Sequence, residues 1–164
     1  MALSPELQAV ADNVDRDGWT KVYVQKNPAD PNSRLLFTVT VGMQEKFGLP
    51  ELVVFGLNRE TADGMMHNVA AKLVKEKKWT GEPLRMDGVL NEADVELRPV
   101  HPEHLGEVGA INIMVRRETD RPPLGGMIQI FWPGDDGLFP WEPDSTDEFR
   151  DQPRLDVSWK KASP

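Results

Sequence analysis

At 164 residues, with 39% hydrophobic residues, a formal charge of −8 and no cysteine, the chain has the size of one domain that can bury roughly 70% of its unfolded surface. The acidic balance argues against a nucleic-acid partner, which needs a basic face. No apolar run approaches the ~20 residues of a membrane span, so no membrane partner is expected either. The absence of cysteine excludes a disulfide framework and thiolate chemistry, and with no signal-peptide pattern at the N-terminus it points to the cytoplasm.

Ser4-Pro5-Glu6 reads as a helix start: a capping hydroxyl, a first-turn proline and an acid at the positive end of the dipole. Leu7, Val10, Ala11 and Val14 repeat at helical spacing until Gly18 stops them. Trp19–Val24 alternates as a strand, and Asn27–Ser33 is a loop by composition. Leu35–Val41 is β-branched and aromatic, a strand with Phe37, Val39 and Val41 toward the core and Thr38 and Thr40 opposite. Gly42 ends it, and a loop through Pro50 leads to a second apolar run, Leu52–Leu57, which can pair with the first in either direction.

Asn58 caps the clearest helix, Asn58–Lys78, whose Ala62, Met65, Met66, Val69, Ala70, Leu73 and Val74 form one continuous face. Weaker strands follow at Leu84–Met86 and Val95–Arg98, joined through Asp87-Gly88. The stretch from Pro102 to Glu118 carries mixed signals. Pro102, Leu105, Val108, Ile111/Asn112 and Val115 favour helix, Gly106, Gly109 and the β-branched INIMV favour strand, and the balance lies with helix.

Met127–Trp132 is apolar on both alternating faces, the mark of a central, covered strand. Pro133 ends it, having no N–H to donate, and Gly134–Gly137 is a turn. Phe131, Trp132, Phe139 and Trp141 then supply a lid of aromatic surface. Leu155, Val157 and Trp159 alternate and either add an edge strand or simply pack. The expected fold is α+β: a single domain over 1–164 with a mixed or mainly antiparallel five- to six-stranded sheet, the long amphipathic helix packed on a face, and an acidic, partly irregular C-terminal segment over 134–164. Residues 134–151 hold seven acids against Arg150 alone, and Lys72, Lys75, Lys77 and Lys78 form a basic counterpart. Solvated surface explains both more simply than a docking patch.

Several of these stretches together resemble the uncharacterised bacterial family catalogued as domain of unknown function 4262. The resemblance rests on Thr40-Val41-Gly42, PELVVFGL at Pro50–Leu57, the helix carrying Asn68, WPGDDGLFPWEP at Trp132–Pro143, and Gln152-Pro153. Gly134-Asp135 stands where the family often has Asp directly after Trp-Pro. The resemblance implies a small bacterial α+β protein, usually free-standing, with no settled activity.

Candidate sites are few. His101, His104 and Glu107 form the one metal-like cluster, since two imidazoles and a carboxylate can hold Zn or Fe(II) with a position left for water. The same residues are also good helix-start chemistry. Asp135, Asp136, Glu142 and Asp144 offer oxygen ligands for Ca²⁺, although acids in a glycine turn have a local reason to exist. Thr61, Gly64 and Asn68 make a small-and-polar stripe on the long helix, read first as helix–sheet packing with Asn68 bonded to a loop carbonyl. A pocket beside Trp132 and Trp141, with Asn68 and Gln129, is the expected ligand site. No nucleophile motif or phosphate loop occurs. The leading expectation is a non-enzymatic module binding a protein partner or small ligand; a homodimer built through an exposed edge strand is a further reading. The alternative is a metal-assisted hydrolase or oxygenase using His101, His104 and Glu107.

Overall fold

The structure, a computed structural model, describes residues 3–27, 29–30, 35–77, 79–90, 93–134, 136–145 and 152–158. Lys78, Asp135, Asp147, Glu148, Arg150, Asp151 and Trp159, and most of the 28–34 loop, lie outside them. Among the described residues, five α-helices and six strands follow in chain order. They are α1 (Pro5–Asp17), β1 (Thr20–Gln25), β2 (Leu35–Val41), α2 (Met43–Phe47), β3 (Glu51–Phe55), α3 (Arg59–Glu76), β4 (Leu84–Leu90), β5 (Ala93–Pro99), α4 (Leu105–Val108), α5 (Ala110–Glu118) and β6 (Met127–Phe131), with a 3-10 turn at Pro102–His104 before α4.

The six strands form one mixed sheet in the order β1-β2-β3-β6-β5-β4. Only β3 and β6 run parallel, Leu52 opposite Ile128 and Val54 opposite Ile130; every other pair is antiparallel. The expected α+β fold is therefore present. β6 lies inside the sheet with all five residues buried, as its two-faced apolar pattern requires. The segment Pro102–Glu118 is helical, in three short pieces. The connection expected as a loop after Gly42 contains α2, which is too short to show a period in sequence. Leu155 and Val157 join no strand; they belong to a segment that packs across the sheet.

Alternation along the strands divides the core in two. Leu52, Val54, Val95, Leu97, Ile128 and Ile130 point at α3 and meet Met65, Met66, Val69 and Leu73. Helices cover part of the opposite face as well. There α1, α4 and α5 cover β2 and β3 through Val10, Val14, Val108 and Val115 against Val39, Val41, Val53 and Phe55. Over β5 and β6 that face is closed by residues 139–141 and 152–156 instead of a helix. Phe139 and Trp141 stack with ring centroids 5.0 Å apart, Trp141 meets Phe131 edge-on at 5.1 Å, and Arg98 lies 3.6 Å over the indole.

Two glutamines sew this cover to the sheet. Gln152 accepts from the Trp132 N–H at 2.8 Å and donates to the Trp132 carbonyl at 2.7 Å, replacing the strand neighbour that Pro133 prevents. Gln129 donates to the Pro153 carbonyl at 2.7 Å and accepts from the Leu155 N–H at 3.2 Å. Charge completes the cover: Glu96 takes Arg85 and Arg98, and Asp156 takes Arg98 and Arg154. Burial works to raise the Asp156 carboxyl, but the two guanidinium partners outweigh it and hold the group below the ordinary aspartate range.

Candidate functional site

The sequence-predicted pocket residues are spread over both faces of the sheet. Trp132 packs with the α3 side and its indole N–H donates to the Phe55 carbonyl at 2.9 Å. Trp141 lies on the opposite side against Phe131, because one step along a strand reverses the face. Gln129 is fully buried and occupied by the C-terminal segment. Asn68 is on the exposed side of α3, its amide 3.5 Å from the carbonyl of Val89 in β4. Gly64 is exposed, with nothing within 4 Å of where a Cβ would stand.

The His101, His104 and Glu107 trio also divides by role. His101 caps the 3-10 turn, its Nδ1 accepting from the Glu103 N–H at 3.2 Å. His104 is buried with Nε2 2.8 Å from the Val157 carbonyl, and Glu107 is exposed. Among the described residues no three His, Asp or Glu side chains converge as metal ligands. Asp136 and Glu142 accept from the backbone N–H groups of Leu138 and Phe139, the local role of acids in a turn.

What the fold does bring together is a buried charged cluster where β2, β3, α2 and α5 meet. Glu51 opens β3 with its side chain wholly buried. Its carboxylate accepts from the N–H groups of Gly42, Met43 and Gln44, each at 3.1 Å, from the Thr40 hydroxyl at 2.8 Å and from Arg116 at 2.5 Å. Every partner is a donor, the shell that suits an ionised carboxylate and satisfies the first turn of α2. Burial nonetheless pushes the Glu51 carboxyl up from the ordinary glutamate range, against the pull of those donors. Arg116 reaches on to Glu45 and to the Pro122 carbonyl at 3.1 Å. Asn112, one turn earlier on α5, donates to the Thr40 carbonyl at 2.9 Å. Asn112 enters the sequence pattern only as a helical-spacing position and Glu51 only as part of an apolar motif, and neither they nor Arg116 are marked there as site residues. Their signal is a polar group where periodicity assigns core: an acid opening an apolar run, and Asn112 and Arg116 on the inward side of an amphipathic helix.

A second cluster lies between β1 and α3. Lys21 donates to Asp63 at 2.7 Å, the Tyr23 hydroxyl donates to the same carboxylate, and the Arg59 guanidinium lies 4.2 Å over the Tyr23 ring. Lys21 and then Tyr23 hold Asp63 below the ordinary range. Burial, then the bond to Asp63, pushes the Tyr23 phenol up to about 12. The folded value exceeds the unfolded one of about 10, so this contribution to stability is whole below pH ~10 and is lost as the pH rises through about 12. Tyr23 is the sole tyrosine. Tyrosinate absorbance of the folded protein should therefore have its midpoint near 12, move to about 10 in urea, and fall in Asp63→Asn. A folded midpoint at the urea value would refute the contact.

A recess able to take a ligand lies where β2, the end of β3, α4 and residues 153–155 meet. It holds about 320 Å³. Phe37 and Phe55, with ring centroids 5.4 Å apart, contribute to its apolar wall along with Leu36 and Leu155, and His104 and Glu107 are its titratable side chains. Leu36 is 43% exposed at the rim. So two members of the predicted metal trio do border one recess, and the aromatic rings beside them are Phe37 and Phe55 in place of Trp132 and Trp141.

A family model described as a domain of unknown function (DUF4262) matches residues 13–146, most of the chain. No curated protein and no solved structure matches it. The matched span includes β1 to β6 and stops short of Gln152 and Asp156, which tie the C-terminal cover to the sheet.

Proposed function

The chain belongs to the family of the domain of unknown function 4262, and from that premise, which brings no activity with it, we propose a non-enzymatic binding module for a small, mainly apolar ligand carrying one cationic group. The recess beside α4 carries this reading: about 320 Å³ lies at the small end of ligand sites, and its lining is aromatic and aliphatic with one exposed carboxylate. Its position at the C-terminal end of β3, in the parallel pair, is where open sheets commonly take ligands. Glu107 supplies the charge that selects a cation, and among the described residues no arginine or lysine lines the recess to oppose it. The polar side chains of the recess do not assemble a nucleophile with a base and an orienter, since His104 is held by the Val157 carbonyl. A cysteine-free chain suits the reducing cytoplasm, the compartment we assign to it.

The reading is tested with three probes of one size, 3-phenylpropylamine, 3-phenylpropanol and 3-phenylpropionate, followed by NMR shift mapping on the whole chain. The amine is expected to bind best and to perturb Leu36, Phe55 and Glu107. Glu107→Gln should remove the preference for the amine, by about tenfold in affinity, and Leu36→Glu at the rim should weaken the neutral alcohol. Shifts that avoid this recess, or no binding by any of the three at millimolar concentration, would overturn the proposal.

A further inference from the structure

On the other side of α4 lies a recess of opposite sign. It also holds about 320 Å³, with a floor of Leu105, Ile113 and Leu124 and three guanidinium side chains, Arg116, Arg117 and Arg121. No acid lines it. That is the reverse of the chain as a whole, in which 27 acids face 19 bases. We propose that this recess is a second binding site, for a free small amphiphile with an anionic head, a carboxylate on an apolar body.

The local structure explains why the cations gather there. Ile113, Arg116 and Arg117 stand at i, i+3 and i+4 on α5, along one side of the helix. After α5 the chain turns through Asp120 in the left-handed region, φ 54°, and the Arg121 N–H donates to the Arg116 carbonyl at 2.9 Å. Arg121 is thereby folded back beside Arg116. Pro122 and Pro123 stiffen the return, and Leu124 settles over Gly109, where a Cβ would lie 2.7 Å from its Cδ2. The floor thus depends on a glycine at the α4–α5 junction.

The three arginines differ in what they can do. Arg116 is buried and bound to Glu51, Glu45 and the Pro122 carbonyl, so it anchors the wall and is not a recognition group. Arg121 is held by Asp15 at 2.5 Å and by the Thr119 hydroxyl at 3.1 Å, with its side chain 17% exposed. Arg117 is 67% exposed and has Glu118 at 3.5 Å, a long contact for an ion pair. It is the group able to swing onto a head group, and its planar fork matches a carboxylate. The apolar floor demands the other half of the ligand. A bare inorganic anion would leave Leu105, Leu124 and the 39%-exposed Ile113 uncovered, whereas a short acyl or aryl body removes them from water. A membrane surface fits poorly, because the rest of a chain at −8 is repelled by anionic lipid.

This site is independent of the one beside Phe55 and takes a head group of opposite charge, so either can fail alone. The test uses octanoate, octylamine and vesicles of anionic phospholipid with the whole chain, read by calorimetry, NMR and co-sedimentation. Octanoate should bind, with affinity falling as salt is raised, and should perturb Ile113 and Leu124. Octylamine should bind at least tenfold more weakly at those residues. Both Arg117→Glu and Ile113→Asp, at exposed positions that leave the core untouched, should weaken octanoate about tenfold or more while leaving phenylpropylamine binding unchanged. Equal affinity for octanoate and octylamine, an Arg117→Glu variant as tight as the parent, or binding to vesicles in preference to octanoate would overturn the assignment.

Discussion

Glu51→Ala should cost about 3–5 kcal/mol of folding stability, the range for removing one partner of a buried ion pair. Three backbone N–H groups of α2, the Thr40 hydroxyl and Arg116 all donate to this carboxylate, and the substitution strands them together. Arg116→Met should cost less. It leaves Glu51 with four donors, whereas Glu51→Ala leaves a buried guanidinium with Glu45 as its remaining acid. The double variant should be little worse than Glu51→Ala alone, because both changes break the same contact. Glu51→Gln should also be costly despite its shape, since either orientation of the amide turns an NH₂ toward N–H donors. Urea denaturation with linear extrapolation measures all four. A Glu51→Ala cost below about 1 kcal/mol, or strictly additive single costs, would remove the cluster from its place at the centre of the fold.

Gly42→Ala should be nearly as damaging, at about 2–5 kcal/mol, from two separate causes. Gly42 sits at φ 107°, where an L-residue is strained. A Cβ there would also stand 2.8 Å from the Trp19 Cα and tighter still against the Gly18 carbonyl, with backbone on the other side of the contact and no flexible side chain to yield. Gly48→Ala and Gly64→Ala separate the causes. Gly48 has positive φ, 69°, and open space, so only conformational strain of about 1–2 kcal/mol is expected. Gly64 lies in the interior of α3 with open space, and alanine there should stabilise by up to about 1 kcal/mol. If thermal unfolding ranks the three in any other order, the close approach of β2 to the α1–β1 turn is not the reason for a glycine at position 42.

The buried clusters join motifs that lie apart in the sequence. Thr40 and Gly42 belong to one short motif and Glu51 to another, and both carry donors or acceptors of a single carboxylate shell. Gln152, far along the chain from Trp132, completes the backbone pairing that Pro133 breaks. The aromatic residues expected to form one lid divide because Phe131 and Trp132 are consecutive in an extended segment and so face opposite ways. Phe139 and Trp141 follow Phe131 to one side, and Trp132 goes alone to the other.

The sequence by itself determined the elements whose signal is periodic and local. α1 and α3 were legible from caps and apolar stripes, β6 from apolar residues on both faces, and the sheet's buried centre from that same run. Only the tertiary structure decided strand order, the parallel pairing of β3 with β6, and which polar residues meet. Those outcomes depend on contacts between segments separated along the chain, such as Glu51 with Arg116 and Arg121 with Asp15, and no local periodicity records them. A buried charge is stable only where distant partners converge on it, so the polar side chains that meet in this protein's interior could be paired only once the chain was folded.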